Sequence, residues 1–155
     1  MAQITKTFRS RWASEDGAQL VEFALVLPML LLVVLGIAEF GFIFQRYEVL
    51  TNAAREGARI AVLPGYSTAD VEARVAAYVA AGRVPTTTGN PTITVSSVAI
   101  PTTAGGPVLS GRRVTVTYTH TYMFLTAIGT WFGATYGTVP LQAVSEMRTE
   151  IVAGL

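Results

Sequence analysis

Apolar positions in the first third of the chain run almost without a break, whereas those in the last third alternate with threonine and serine. From Phe23 to Ala38 (FALVLPMLLLVVLGIA) sixteen consecutive residues carry no charge. The surrounding apolar stretch reaches from Leu20 to Phe44, interrupted only by Glu22 and Glu39. About 20 apolar residues span a bilayer. The two acids are 17 residues apart, roughly 26 Å along a helix against a hydrocarbon thickness of about 30 Å. Each then falls near one interface, where a charge costs less than at the centre. Pro28 removes one backbone donor and crowds the carbonyl of Ala24. It predicts a kink or loosened turn, or is one of the prolines that membrane helices ordinarily tolerate.

The helical pattern does not stop at the end of this span. QRYEVLTNAAREGARIAVL contains good helix formers, no proline and one glycine, so one helix is predicted from Ala18 to Val62, roughly 67 Å long. Residues 18–44 form the transmembrane segment and 45–62 project from it. Ala53, Gly57 and Ala61 recur every four residues, with Ala54 and Ala58 alongside, and small side chains let another backbone approach. Arg55 and Arg59, with Glu56 between them, form a charged edge beside that face. The face packs on the chain's own sheet with the arginines solvated, or it meets another subunit.

Pro64-Gly65 breaks the helix. Ser67 and Asp70 then read as a capping box, opening a short helix over 68–81 whose apolar stripe is Val71, Val75, Tyr78 and Val79, with Gly82 as the stop signal. Beyond Pro85 the composition favours strands and turns, with strands predicted at 92–100, 112–122 and 139–151. Alternation is clearest in Val114, Val116 and Tyr118. AGGPVLSG reads as a long hairpin loop, and FLTAIGTWFGATYG as a loop or a turn of helix whose Trp131 and Phe132 enter the core or touch the membrane surface. The fold class is α+β: a long N-terminal membrane helix extending into a short helix and a small antiparallel β-sheet.

Composition narrows the function. Charged residues are 14%, against about 25% in globular domains. A net charge of +1 and scattered Lys6, Arg9, Arg11, Arg55, Arg59, Arg112 and Arg113 give no basic patch for nucleic acid. There is no cysteine, and His120 is the single histidine, which excludes thiolate and multi-His metal sites. In VTVTYTHTY it reads as an ordinary strand residue. No glycine-rich phosphate loop or nucleophile motif is present, and Asp70, Glu72, Glu146 and Glu150 read as cap and strand-surface acids. These features argue against an enzyme and imply no cofactor and no metal. The basic flank Lys6, Arg9 and Arg11 places the N-terminus in the cytoplasm. The small pair Gly17-Ala18 precedes the apolar core, the reverse of a secretory signal.

DGAQLVEFALVLPMLLLVVLGIAEFGFIF, then LTNAAREGAR, then RRVTVTY and a terminal SEMRTE strand together resemble the TadE-like family of pseudopilins, components of the tight-adherence (Flp-type) pilus and secretion system. The resemblance runs from Gly17 to Glu150. It implies a type IV pilin-like fold, with a cytoplasmic leader (1–17) cut between Gly17 and Ala18 by a membrane prepilin peptidase. The outer domain (45–155) would lie beyond the inner membrane, with other pilins, pseudopilins and the assembly machinery as partners. Glu22 becomes the fifth residue of the mature chain and, with Phe23, forms its processing and assembly signature. The physics of the site agrees. Gly17 lets a protease hold the backbone extended, and cleavage leaves eight basic and eight acidic residues. It also creates an amine at Ala18 with which Glu22, one helical turn on, can pair. Otherwise Glu22 is an interfacial acid favoured by the helix dipole. The alternative function is an uncleaved single-pass anchor whose outer domain binds a partner.

Overall fold

The apolar run and the polar run after it form one helix, α1 (Glu15–Ala61, 47 residues), uninterrupted through Pro28, in a computed structural model that describes residues 15–86, 89–101, 108–131 and 133–149. Most of the expected leader (1–14), Phe132, and the last residues of the expected third strand (150–151) lie outside the described residues. No side chain from Gly17 to Ala38 is buried. From Glu39 onward a stripe at steps of three and four turns inward: Glu39, Ile43, Arg46, Leu50, Ala53, Gly57 and Ala61. The same helix is thus a free apolar rod for its first half and one wall of a core for its second.

Pro64 and Gly65 end α1, and α2 (Thr68–Ala81) starts on the expected capping box. The Asp70 amide donates to Ser67 Oγ at 3.3 Å, and the Ser67 amide donates to Asp70 Oδ2 at 2.8 Å. Val71, Val75 and Val79 are buried. Tyr78, expected on the same stripe, is exposed, because it lies about 60° round the helix from the stripe's centre. The helix stops where Gly82 predicts, for a different reason. Gly82 has an ordinary φ of −74°, and the left-handed residue is Arg83, at φ 54°. The amide of Arg83 donates to Ala80 O and that of Val84 to Val79 O, a Schellman closure with Val84 and Val79 both buried. Glycine is needed at 82 because a Cβ there would lie 2.4 Å from Val49 Cγ1 of α1.

The sheet is an antiparallel meander of β1 (Thr92–Pro101), β2 (Val108–Thr121) and β3 (Thr138–Arg148), with β2 central. Val114, Val116, Tyr118 and His120 of β2 face inward, beside Val95, Ile93, Ala143 and Leu141 of its neighbours. Threonine pairs such as Thr92 with Thr117 and Thr94 with Thr115 line the opposite face. β2 begins at Val108, so residues 108–111, expected in the hairpin loop, extend the ladder. Leu109 pairs with Ile100, and Gly111 passes beneath it where a Cβ would meet Ile100 Cδ1 at 2.5 Å.

Between β2 and β3 the FLTAIGTW stretch forms a true helix, α3 (Phe124–Trp131). Gly133, at φ 68°, closes it: the Gly133 amide donates to Thr130 O and the Ala134 amide to Gly129 O at 2.8 Å, again a Schellman closure.

The core lies where α1 and α2 cross the sheet. Gly57 is a tight point within it, since a Cβ there would lie 2.4 Å from Val75 Cγ2 and 3.2 Å from Val114 Cγ1. Overpacking of this kind costs about 1–3 kcal/mol. Gly57→Ala is therefore expected to destabilise the detergent-solubilised full chain by about 2 kcal/mol despite its better helix propensity. Chemical denaturation measures this, and Val75→Ala should restore part of the loss in the double variant.

Candidate functional site

Two regions carry the chemistry: the start of α1, and the point where α1 first meets the sheet. At the start, Gly17, Ala18, Glu22 and Phe23 all lie on the free rod, with Phe23 exposed. Glu22 makes no ion pair among the described residues. Gly17 and Ala18 sit in the first turn of α1, whose backbone donors lack helical partners, so presenting an extended backbone requires that turn to unwind.

The small-residue face lies inside the molecule. Ala53, Ala54 and Ala58 are fully buried, and Gly57 and Ala61 are buried with them, against α2 and β2. On the charged edge Arg55 is exposed. Glu56 accepts from Arg59 at 3.0 Å and from Arg74 of α2 at 3.2 Å, linking the two helices. The Arg59 guanidinium, and after it that of Arg74, holds the Glu56 carboxyl below the usual carboxylate range. Such exposed pairs contribute little to stability.

The second region rests on Glu39, one residue past the charge-free run. Its side chain is 2% exposed and both carboxylate oxygens are engaged. Oε1 accepts from the Met123 amide at 2.9 Å and from His120 Nε2 at 3.2 Å, and Oε2 accepts from the Phe124 amide at 2.8 Å. These amides open α3, and Met123 has no side-chain oxygen with which to cap it, so a carboxylate from α1 supplies the cap. His120 is completely buried, and Arg46 Nη1 lies against its Nδ1.

A guanidinium can only donate, so Nδ1 accepts and the ring proton sits on Nε2, where it donates to Glu39. That fixes a neutral imidazole. Burial, and then the Arg46 charge, push the His120 pKa below its ordinary value, against the opposing pull of Glu39. Aromatic rings continue the cluster. Phe42 meets Phe124 at 6.2 Å, His120 meets Tyr122 edge-on at 5.8 Å, and Tyr122 meets Tyr136 at 6.4 Å.

The arrangement suits a clamp and not a reactive centre. Both imidazole nitrogens are occupied, and a permanent cation beside them disfavours a metal. Glu39 was expected near one interface and His120 as an ordinary strand residue; His120 does lie in β2, and the structure adds that both are buried and bonded to each other. Glu39, Arg46 and Leu50 lie on one helix face, and His120 continues the inward series of Val114, Val116 and Tyr118; those spacings were the available signal.

An apolar helix long enough to cross a membrane, continuing into a small α+β head with a three-stranded antiparallel sheet, is a single-pass, pilin-like arrangement. The family described as TadE-like protein matches residues 17–59, covering the rod, Glu39 and the helix as far as Arg59, and pointing to a Tad pilus-associated protein. No curated protein and no solved structure matches the chain.

Removing the Glu39 carboxylate would strand two part-buried amides and the buried imidazole N–H beside an unbalanced Arg46. Glu39→Ala is expected to cost about 3 kcal/mol and to raise hydrogen exchange selectively at the Met123 and Phe124 amides, read by mass spectrometry of the intact chain in detergent. The clamp also sets a pH dependence. Unfolded His120 takes a proton near pH 6.5, whereas the folded, buried ring resists it until lower pH. Stability is therefore expected to hold above about pH 6.5 and to fall as pH drops from there towards the lower folded pKa. Thermal unfolding across that window should show this slope, and His120→Gln should flatten it.

Proposed function

We propose that the chain is a TadE-like pseudopilin or minor pilin, cleaved between Gly17 and Ala18 by a prepilin-type peptidase and acting in assembly of a tight-adherence pilus. The observation that carries this reading is the family match over residues 17–59 on a helix whose first half is wholly unburied. A helix of that kind can leave the bilayer sideways into a bundle of like helices without dismantling its own head, because the head's core begins only at Glu39. The span lies in the inner membrane, with the leader in the cytoplasm and the head outside. The peptidase, other pilins and the assembly machinery are its partners.

Glu22 has the chemistry for docking in such a bundle. A carboxylate on the bare rod, about one turn from the amine that cleavage creates, is desolvated at least cost when it pairs with an amine of its own or a neighbouring chain. The inward orientation of Ala53, Gly57 and Ala61 leaves the rod, and not this face, for subunit contact.

N-terminal sequencing of the protein from native membranes is expected to give a start at Ala18, and an intact Met1 in cells that carry the peptidase would sink the proposal in favour of an uncleaved anchor. Gly17→Val should block processing. Glu22→Ala should be processed normally but leave surface pili strongly reduced, counted by electron microscopy.

A further inference from the structure

The mechanism of assembly leaves one surface unused: the end of the head that faces the rod. From Val114 to Ser145 the sequence holds 32 consecutive residues without a single Asp, Glu, Lys or Arg. That stretch makes up the near ends of β2 and β3 and the whole of α3. The sheet's charged side chains, Arg112, Arg113, Glu146 and Arg148, sit at the opposite end, where Gly111 pairs with Arg148 and Arg113 meets Glu146 at 2.5 Å. The sheet is therefore polarised, charged at its far end and without Asp, Glu, Lys or Arg of its own at the near one.

Apolar groups are displayed at the near end. Met123 is 53% and Tyr136 42% exposed, Ala127 and Thr130 of α3 are exposed, and Phe124, Leu125 and Ile128 are half-buried. On the face of α1 that meets α3, Phe42, whose ring lies 6.2 Å from that of Phe124, is 38% exposed, and Leu35, one turn below Glu39, is half-buried, so the apolar surface of the rod continues onto α3. The height of α3 is fixed as well, because Glu39 holds its first amides one residue beyond the charge-free run. If Phe23 to Ala38 fill the hydrocarbon, α3 lies at the level of the headgroups and upper acyl chains.

We infer that α3 with Met123 is a membrane foot, seated in the outer interfacial zone of the same bilayer that α1 spans, with lipid as its occupant. The inference rests on the membrane-spanning role of α1 but not on cleavage or pilus assembly. A short uncharged helix gains free energy by burying apolar area at the acyl boundary. Its Glu39 cap withdraws the carboxylate, the imidazole and the Arg46 charge from that surface. The foot braces the head against the bilayer while the rod remains in it.

The test uses the full chain in vesicles of phosphatidylcholine and phosphatidylglycerol. With no native cysteine, single substitutions Met123→Cys, Ala127→Cys, Glu72→Cys and Leu30→Cys can each carry an environment-sensitive fluorophore. Phospholipids with a nitroxide near the top of the acyl chain serve as quenchers for 123, 127 and 72, and phospholipids with one near the chain's end for 30. Quenching at 123 and 127 is expected to exceed that at 72 by about threefold, and Ala127→Glu in the Met123→Cys background should reduce the quenching at 123 by about half with circular dichroism unchanged. Equal quenching at 123, 127 and 72 with strong deep quenching at 30 would overturn the foot and leave the span intact. Loss of quenching at 30 as well would overturn both. Shielding at 123 that grows with protein density and ignores the nitroxide lipid would assign the surface to a second copy of the chain and also overturn the inference.

Discussion

A single carboxylate carried by the membrane helix determines where the head begins. Glu39 is removed from solvent, and a buried, unpartnered carboxylate would cost several kcal/mol. It is tolerated because two helix-opening amides and one imidazole N–H converge on it. The dependence runs both ways. α3 has no capping residue of its own at Met123, and His120 needs an acceptor for its proton. Above the clamp, Arg46 satisfies the other side of the imidazole and Leu50 starts the apolar core. Below it, no side chain of the rod from Gly17 to Ala38 is buried. The boundary between a helix that faces lipid and one that faces protein is thus set by three polar side chains, and not by a change in helicity.

Close approach is the second constraint, and it explains three glycines that have little else in common. Gly57 admits Val75 and Val114, Gly82 admits Val49, and Gly111 admits Ile100. None of these is among the positive-φ glycines. The price of this economy shows at Arg83, a residue with a Cβ in the left-handed region, where such a conformation costs about 1 kcal/mol. The backbone accepts that cost because moving the glycine to 83 would put a side chain against α1 at 82.

Much of the fold is written in local patterns. The charge-free run, the capping box at Ser67 and Asp70, and the alternation of Val114, Val116 and Tyr118 predict α1, α2 and the middle of β2 without any knowledge of packing. What was not legible is what depends on residues distant in sequence. Locally α3 reads as a glycine-broken loop or a turn of helix, and its cap, 84 residues upstream, lies in no local window that could decide between them. The start of β2 was missed because Gly111 reads as a turn residue until Ile100 is seen above it. His120 looked ordinary because a lone histidine in a strand carries no sign of a partner, although its inward parity and the two-turn spacing of Glu39 and Arg46 were visible. The start of the rod was conspicuous for its composition, a carboxylate in an apolar run, whereas the clamp residues each looked unremarkable alone.

Because α1 is one unbroken helix, it transmits angle as well as distance. Glu22 and Glu39 are 17 residues apart, and at roughly 100° per residue the second points about 100° round the axis from the first. The head's azimuth is therefore locked to the direction of the carboxylate on the rod, like the bit of a key to its bow. Substitutions between them leave that phase untouched, whereas gaining or losing one residue would turn the whole sheet by more than a quarter of a circle.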